Sequence, residues 1–307
     1  MIHLVRPEGV DDPDRPSGGN LYDRRIADQL RAVEHTSLRT VPDGAVVLVD
    51  GLLATPALVA ESTRVRVVVL VHMPRREPWE GEVLRAAAGV VTTSRWTRRR
   101  LLEWYGLDPA RVHVAEPGTD PADLAPGTPD GSSLLSVGAV TPLKGHDVLV
   151  AALGTLGDLT WTCRVVGSLE VDPAFAARLP GTSGGGTVQL TGPQTREQLD
   201  ATYAAADLLV LASRAETYGM VVTEALAHGV PVIASDVGGV REALGHGPGV
   251  LVPPDDPPAL AEALRHWLTD ERHRFELRAA ARERRTGLGG WERTSALVAG
   301  ALAEVAP

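Results

Sequence analysis

Short runs of β-branched and aliphatic residues recur along this 307-residue chain, each followed by an amphipathic stretch, and that alternation limits the fold more than any other feature. The runs Ile2–Val5, Val46–Asp50, Val65–His72, Gly89–Ser94 and Val112–Ala115 read as strands. So do Leu134–Val140, Thr162–Gly167, Val188–Thr191, Leu208–Ala212, Pro231–Ser235 and Val250–Val252. Helical spacing falls between them, as in Leu21–Val33, His146–Leu156 and Arg196–Ala205. Strands that are apolar on both faces must be covered on both faces, which is the condition of a parallel sheet flanked by helices. The expected class is α/β, doubly wound.

The pattern breaks at Asp120–Ser132, DPADLAPGTPDGS, where Pro, Gly and Asp replace the periodicity. A linker there divides the chain into two Rossmann-like domains, 1–122 and 133–288, with a cleft between them as the natural ligand site. Pro257–Val305 reads as helical, interrupted by Gly287, Gly289 and Gly290, and 289–307 is expected to form a terminal helix crossing back to the first domain. The first half reads as short, with little between a helix ending near Val33 and the strand at Val46.

A net charge of −9 opposes nucleic-acid binding, which needs a basic field, but leaves room for a small anion in a local pocket. The most apolar stretch, Gly44–Ala60, is broken by Asp50, Gly51 and Pro56, so no membrane span is expected. No secretion signal opens the sequence, and Cys163, the sole cysteine, lies in a strand-like run. A cytoplasmic location is the expectation. Of the 30 basic side chains only Lys144 is a lysine, and Asn20 is the only asparagine. In a chain so depleted in both, these two are candidates for specific tasks because of where they sit.

Three segments carry chemistry. In Leu208–Glu224, LLVLASRAETYGMVVTE, a buried strand ends at Ser213, a loop carries Glu216, and a helix begins near Gly219. Gly219 lets a phosphate approach the backbone, and the amides of Gly219, Met220 and Val221 at the helix start form an anion site. Glu224 lies roughly 7–8 Å along that helix at about 1.5 Å per residue. The two carboxylates thus bracket the phosphate position, where each can accept from a diol. Read singly, Glu216 is a helix-start charge and Glu224 a solvated helix residue. In Ser136–His146, SVGAVTPLKGH, a strand and a turn at Gly138 deliver Lys144 just before a helix, where an ammonium can neutralise a leaving diphosphate. In Arg15–Asn20, RPSGGN, Gly18 and Gly19 are expected in a loop whose amides can face an anion or a sugar.

At these residues the chain resembles the retaining GT-B glycosyltransferases of family 4, with their glycosyl transferases group 1 domain. The E-x7-E pair Glu216/Glu224 is followed by AHGVPVIASDVGGVREAL and GVLVPPDDPPALAEAL, and the strand–KGHD element, VTTSRWTRRRLLEWYG, VHVAEPGTD and the GGN loop match as well. The resemblance spans nearly the whole chain and is strongest over Leu134–Leu268. It implies a nucleotide-diphosphate sugar donor (UDP- or GDP-sugar), a hydroxyl acceptor (glycan, lipid or small metabolite), and no essential cofactor or metal. It implies catalytic roles for His72, Lys144 and Glu216. Donor contacts would come from Gly18, Gly19, Lys144, Glu216, Gly219, Met220, Val221 and Glu224, with Glu216 on the sugar, Glu224 on the ribose, Lys144 on the diphosphate and His72 beside the transferring sugar.

Asn20, Gly138 and Arg214 are tentative additions. The family usually sets an arginine just after the strand glycine, where this chain has Ala139, and Arg214 is the candidate replacement. The acidic triplet Asp11, Asp12, Asp14 does not resemble a metal-binding D-x-D at a strand end. Rival readings remain: a nucleotide-sugar epimerase, a phosphorylase (disfavoured because Lys144, the only lysine, sits in the phosphate motif), and a non-catalytic nucleotide-sugar-binding subunit. A dinucleotide oxidoreductase is disfavoured because no first strand leads into G-x-G-x-x-G, and Gly184–Gly186 reads as a turn. Arg95–Tyr105 could touch an anionic membrane but reads better as a helix packed on its own sheet; His266 and His273 read as surface residues.

Overall fold

The structure is a computed structural model and describes residues 2–10, 12, 16–179, 182, 183 and 185–306. Asp11, Asp14, Arg15 and Gly184, which figure in the sequence reading, lie outside the described residues. The chain separates into two compact units. One comprises Met1–Asp11, Gly18–Gly118 and Gly289–Pro307; the other comprises Asp12–Ser17 and Thr119–Leu288.

In the first unit the elements run β1 (His3–Val5), α1 (Gly18–Leu30), β2 (Val33–His35), β3 (Val46–Asp50), α2 (Ala57–Glu61), β4 (Arg66–Val71), α3 (Glu80–Ala86), β5 (Gly89–Thr92), α4 (Arg95–Tyr105) and β6 (Val112–Val114). The strands pair in parallel in the order β2-β1-β3-β4-β5-β6. Val47, Leu48, Val49 and Val67 to Leu70 are wholly buried, as strands covered on both faces require. The helix α4 begins at Ser94, whose hydroxyl accepts from the Thr97 amide, and ends at Gly106 in the left-handed conformation.

Two expectations change here. The first helix stops at Leu30, and Val33–His35 forms an edge strand on β1, so a strand lies in the stretch that reads as nearly empty between the first helix and the strand at Val46. Three half-exposed residues carry no alternating pattern, so the run VEH looked like the tail of the helix. Gly18, Gly19 and Asn20 are not a loop but the first turn of α1.

In the second unit the order is β7 (Ser133–Val137), α5 (His146–Gly154), β8 (Trp161–Val166), α6 (Pro173–Ala176), β9 (Thr182–Ser183), β10 (Gly186–Leu190), α7 (Arg196–Ala204), β11 (Leu208–Leu211), α8 (Met220–Ala227), β12 (Val232–Ser235), α9 (Val240–Leu244), β13 (Gly249–Val252), α10 (Pro257–Thr269) and α11 (Glu271–Arg285). The sheet order is β13-β12-β11-β7-β8-β10-β9, parallel except for the short antiparallel β9. Cys163 is a buried strand residue.

The linker segment is strapped onto this unit. Ala125 donates to the His228 carbonyl at 2.8 Å, Thr128 N–H donates to Asp207 at 2.6 Å, and the Gly131 carbonyl accepts from Trp267 at 2.8 Å. The last helix, α12 (Trp291–Glu304), packs on α1 in the first unit, with Trp291 edge-on to Tyr22 at 5.7 Å.

Each strand order contains a reversal. From β1 the chain passes to β2 on one side and β3 on the other; from β7 it winds through β8 and β10, then returns to β11 on the opposite side of β7. Helices diverge at such a point, leaving a crevice beyond the carboxyl ends of the two adjacent strands, which is where open α/β sheets bind ligands.

Candidate active site

In the second unit the reversal lies between β7 and β11, and the segments leaving those two strands carry Lys144 and Glu216. Lys144 Nζ donates to Glu216 Oε1 at 2.6 Å, and the Ser213 hydroxyl donates to the same oxygen at 2.8 Å. Glu216 is buried and Lys144 about a quarter exposed, so the ammonium stands at the rim and the carboxylate behind it. Two residues 72 positions apart thus meet because the topology sets their strands side by side.

The loop that holds Glu216 is pinned from below: a Cβ on Gly238, whose φ is +56°, would lie 1.5 Å from the Glu216 carbonyl oxygen. Gly138 lies against the Lys144 stem, with its own would-be Cβ 3.4 Å away.

Gly219 stands before α8 with φ +92°, a left-handed conformation that a side chain would strain. The Val222 amide is satisfied by the Gly219 carbonyl at 2.9 Å, whereas the first amides, at Met220 and Val221, have no acceptor within the helix itself. Met220 and Val221 are only partly buried, so this helix start can receive an anion.

Glu224 is not a solvated helix residue. Its Oε2 accepts from the Tyr203 hydroxyl at 2.9 Å and its Oε1 from Arg196 at 3.4 Å, with 13% of the side chain exposed. Burial raises its pKa, opposed by the Arg196 charge and the Tyr203 bond. Arg196 also pairs with Asp120 and Asp200, each at 3.3 Å. Arg196 and Tyr203 were not singled out from the sequence. On α7 they read as ordinary amphipathic positions, and only the packing of α7 beside α8 brings them to Glu224.

Arg214, the candidate replacement for the cation missing at Ala139, is held elsewhere. Its guanidinium bonds both oxygens of Asp147 at 2.9 Å, Asp255 at 2.6 Å and the Pro142 carbonyl. Reaching a bound anion would require breaking this clamp. His146, first in α5, is buried with its Nδ1 unpartnered; burial, then the nearby Lys144, depress its pKa to about 4, so it is neutral.

In the first unit the reversal lies between β1 and β3. Asp50 ends β3, His72 follows β4, and Asp23 projects from α1. His72 Nε2 bonds Asp23 Oδ1 at 2.8 Å, and the ligand-type atoms of Asp23, Asp50 and His72 all lie within 4.8 Å of one another. Such spacing could suit a cation, but Nε2 of His72 is already committed to Asp23, so the trio is a hydrogen-bonded cluster. Gly19 lies on the imidazole, its would-be Cβ 3.4 Å from His72 Cδ2. Gly18 is exposed and Asn20 half-buried on the same first turn. Burial raises the Asp50 carboxyl to about 7, helped by the adjacent Asp23 and opposed by His72. For His72, burial disfavours the charge, but the Asp23 bond and the Asp23 and Asp50 charges outweigh it and raise its pKa.

Two doubly wound units of this kind, each with polar groups gathered at its topological reversal, define the GT-B glycosyltransferase architecture. The solved structures agree on the fold: a glycosyltransferase from Rickettsia africae superimposes with a TM-score of 0.79 at 20% identity, over 99% of this chain and 98% of that one. Anabaena Alr3699/HepE, crystallised with UDP-glucose, gives 0.76 at 17% identity, over 99% of both chains. Within that architecture, residues 128–284 match the family model described as Glycosyl transferases group 1, and 45–123 match Glycosyltransferase Family 4.

This chain belongs to the glycosyl transferases group 1 family. Among curated relatives, a D-inositol 3-phosphate glycosyltransferase 1 of Catenulispora acidiphila is 35% identical over 74% of this chain and 60% of its own length. A D-inositol 3-phosphate glycosyltransferase of Kineococcus radiotolerans is 34% identical over 70% of this chain and 57% of its own length. The chain therefore spans about three-fifths of the curated relatives it matches. Among the described residues, no helix is long and apolar enough to cross a membrane.

Proposed function

We propose that this chain transfers a sugar from a nucleoside-diphosphate sugar to a hydroxyl acceptor with retention of anomeric configuration. The observation that carries the reading is the Lys144–Glu216 pair at the β7/β11 reversal, with α8 beginning four residues after Glu216. A diphosphate entering there would draw the Lys144 ammonium away from Glu216 and lie against the first amides of α8. Glu216, still held by Ser213, would then accept from a sugar hydroxyl, and Glu224 from the ribose diol.

As the bond from the anomeric carbon to the diphosphate oxygen breaks, charge grows on that oxygen, and Lys144 with the helix dipole stabilises it. The acceptor oxygen attacks on the same face and gives its proton to the departing phosphate. No carboxylate nucleophile is required for retention by this route. The family membership supports transfer. The UDP-glucose bound in the Anabaena neighbour and the inositol 3-phosphate in the relatives' names make UDP-sugars and phosphorylated polyols the first donor and acceptor to try.

The test is thermal stabilisation across nucleotides and nucleotide sugars, followed by mass spectrometry of products with an acceptor panel. A stabilising nucleotide sugar and a glycosylated product support the reading. Stabilisation without any transfer or epimerised donor would favour a non-catalytic binding subunit, and conversion of the donor without an acceptor would favour an epimerase.

A further inference from the structure

Asp23 is wholly buried on α1, an uncommon place for a carboxylate, and its side-chain partners are His72 and the raised Asp50 carboxyl. Oδ1 holds His72 Nε2 at 2.8 Å, while Oδ2 is buried with no hydrogen-bond partner in the structure. Asp50, 2% exposed, stands beside it at the end of β3, its Oδ1 accepting the Leu52 amide at 2.6 Å. A carboxylate left dry needs a charge partner, and the imidazole is the only cationic group bonded to it among the described residues.

The ring is otherwise confined by uncharged surfaces: Gly19 against one side and the edge of Tyr22 at 5.2 Å. Tyr22 is itself tied off, donating to the Ala115 carbonyl at 3.0 Å and backed by Trp291 of α12. The titratable groups facing the ring are thus Tyr22 and Asp23 from α1 and Asp50 from β3. The two ring nitrogens point in divergent directions. Nε2 is committed to Asp23, and among the described residues no protein group bonds Nδ1, which is not a buried atom.

We propose that Asp23, backed by Asp50, is a positioning residue: it holds His72 by Nε2 and, as a carboxylate ion-paired to the ring, favours the form that presents Nδ1–H as a fixed donor to a sugar hydroxyl at the carboxyl edge of this sheet. The identity of that hydroxyl rests on the sugar-transfer reading; the positioning does not. Charge on the ring matters because a neutral imidazole that donates Nε2–H to Asp23 offers Nδ1 only as an acceptor. Asp23 therefore decides the sign of the hydrogen bond that His72 can make.

The experiment is a histidine NMR titration of the full chain, with His72 assigned among the nine histidines by His72→Gln, alongside steady-state kinetics. In the wild type, His72 titrates above the free-histidine range and its neutral form carries the proton on Nε2. In Asp23→Asn the His72 midpoint falls by about one unit or more, and turnover falls roughly 10- to 100-fold, the scale of losing an outer partner that orients a functional histidine. Donor KM and nucleoside-diphosphate affinity stay within about twofold, and Asp23→Glu restores part of the midpoint shift.

Should Asp23→Asn fail to fold, Asp50→Asn carries the test, with a smaller downward shift in the same direction. An unchanged His72 midpoint in both variants would overturn the proposal. So would loss of nucleoside-diphosphate affinity in step with turnover, or broadening of the His72 signals by stoichiometric Mn²⁺, which would mark a metal site instead. If the wild type transfers no sugar, the sugar-transfer reading fails, and the titration still decides whether Asp23 positions His72.

Discussion

At the carboxyl edge of the first unit's sheet the polar groups are two buried carboxyls around one imidazole; at the same edge of the second unit's sheet they are one lysine and one carboxylate beside a helix start. Both clusters sit at a topological reversal, and both were assembled from residues far apart in sequence. Their charge balance differs. The acid-rich cluster lowers its own charge, with Asp50 raised to about 7 and His72 raised as well. The second cluster holds an ammonium about a quarter exposed and helix amides, which suit an anion. One fold class repeated within a chain therefore hosts two chemistries, and the side chains at the reversal, not the sheet, decide which.

The comparison breaks most visibly at Lys144. Lys144→Ala should cut turnover at least ~100-fold, the scale of one lost transition-state charge contact, while circular dichroism stays native. Near-wild-type turnover would remove the second cluster from the reaction. Next in size, Glu224→Ala should weaken nucleotide binding by about tenfold (about 1.4 kcal/mol) in calorimetry. It should also cost about 1–3 kcal/mol in urea unfolding, because the buried Tyr203 hydroxyl loses its acceptor. Weakened sugar discrimination with intact nucleotide affinity would reverse the assignment of the two glutamates.

Asp50 sharpens the contrast through pH. Its folded-state pKa of about 7 exceeds the ordinary 3.8, so between those values the folded chain binds more protons than the unfolded one. The stability it contributes is fully present below about pH 4 and is lost as pH rises toward 7. Asp50→Asn should therefore flatten the decline of melting temperature across that window, and an unaltered profile would show that Asp50 is not the titrating group. The smallest effect is expected at Gly19→Ala. Its new Cβ would meet His72 Cδ2 at 3.4 Å, ordinary contact, while alanine favours the helix. Stability should stay within about 1 kcal/mol; a large loss would mean that the α1 start is more tightly packed on His72 than the distances indicate.

Most strands were legible because a run such as Val46–Asp50 or Leu208–Leu211 is apolar on both faces, and burial on both faces has few structural solutions. Val33–His35 was not, since a three-residue half-exposed edge strand leaves no periodic trace. Lys144, Glu216 and Glu224 stood out by scarcity and spacing. Asp23 did not: in GGNLYDRRIADQL an aspartate reads as a solvated helix position, and nothing local announces that its neighbours are β3 and β4.

The amino-acid pattern by itself determined the alternating α/β class, the break near Asp120–Ser132 and the residue types able to meet a diphosphate, because periodicity and composition act locally. The tertiary structure alone decided that Lys144 pairs with Glu216, that Arg214 is clamped by Asp147 and Asp255, and that Asp23 is buried against His72. Those outcomes depend on which strands lie side by side and how deeply each charge is buried, and long-range pairing and desolvation leave no signature in the neighbouring residues.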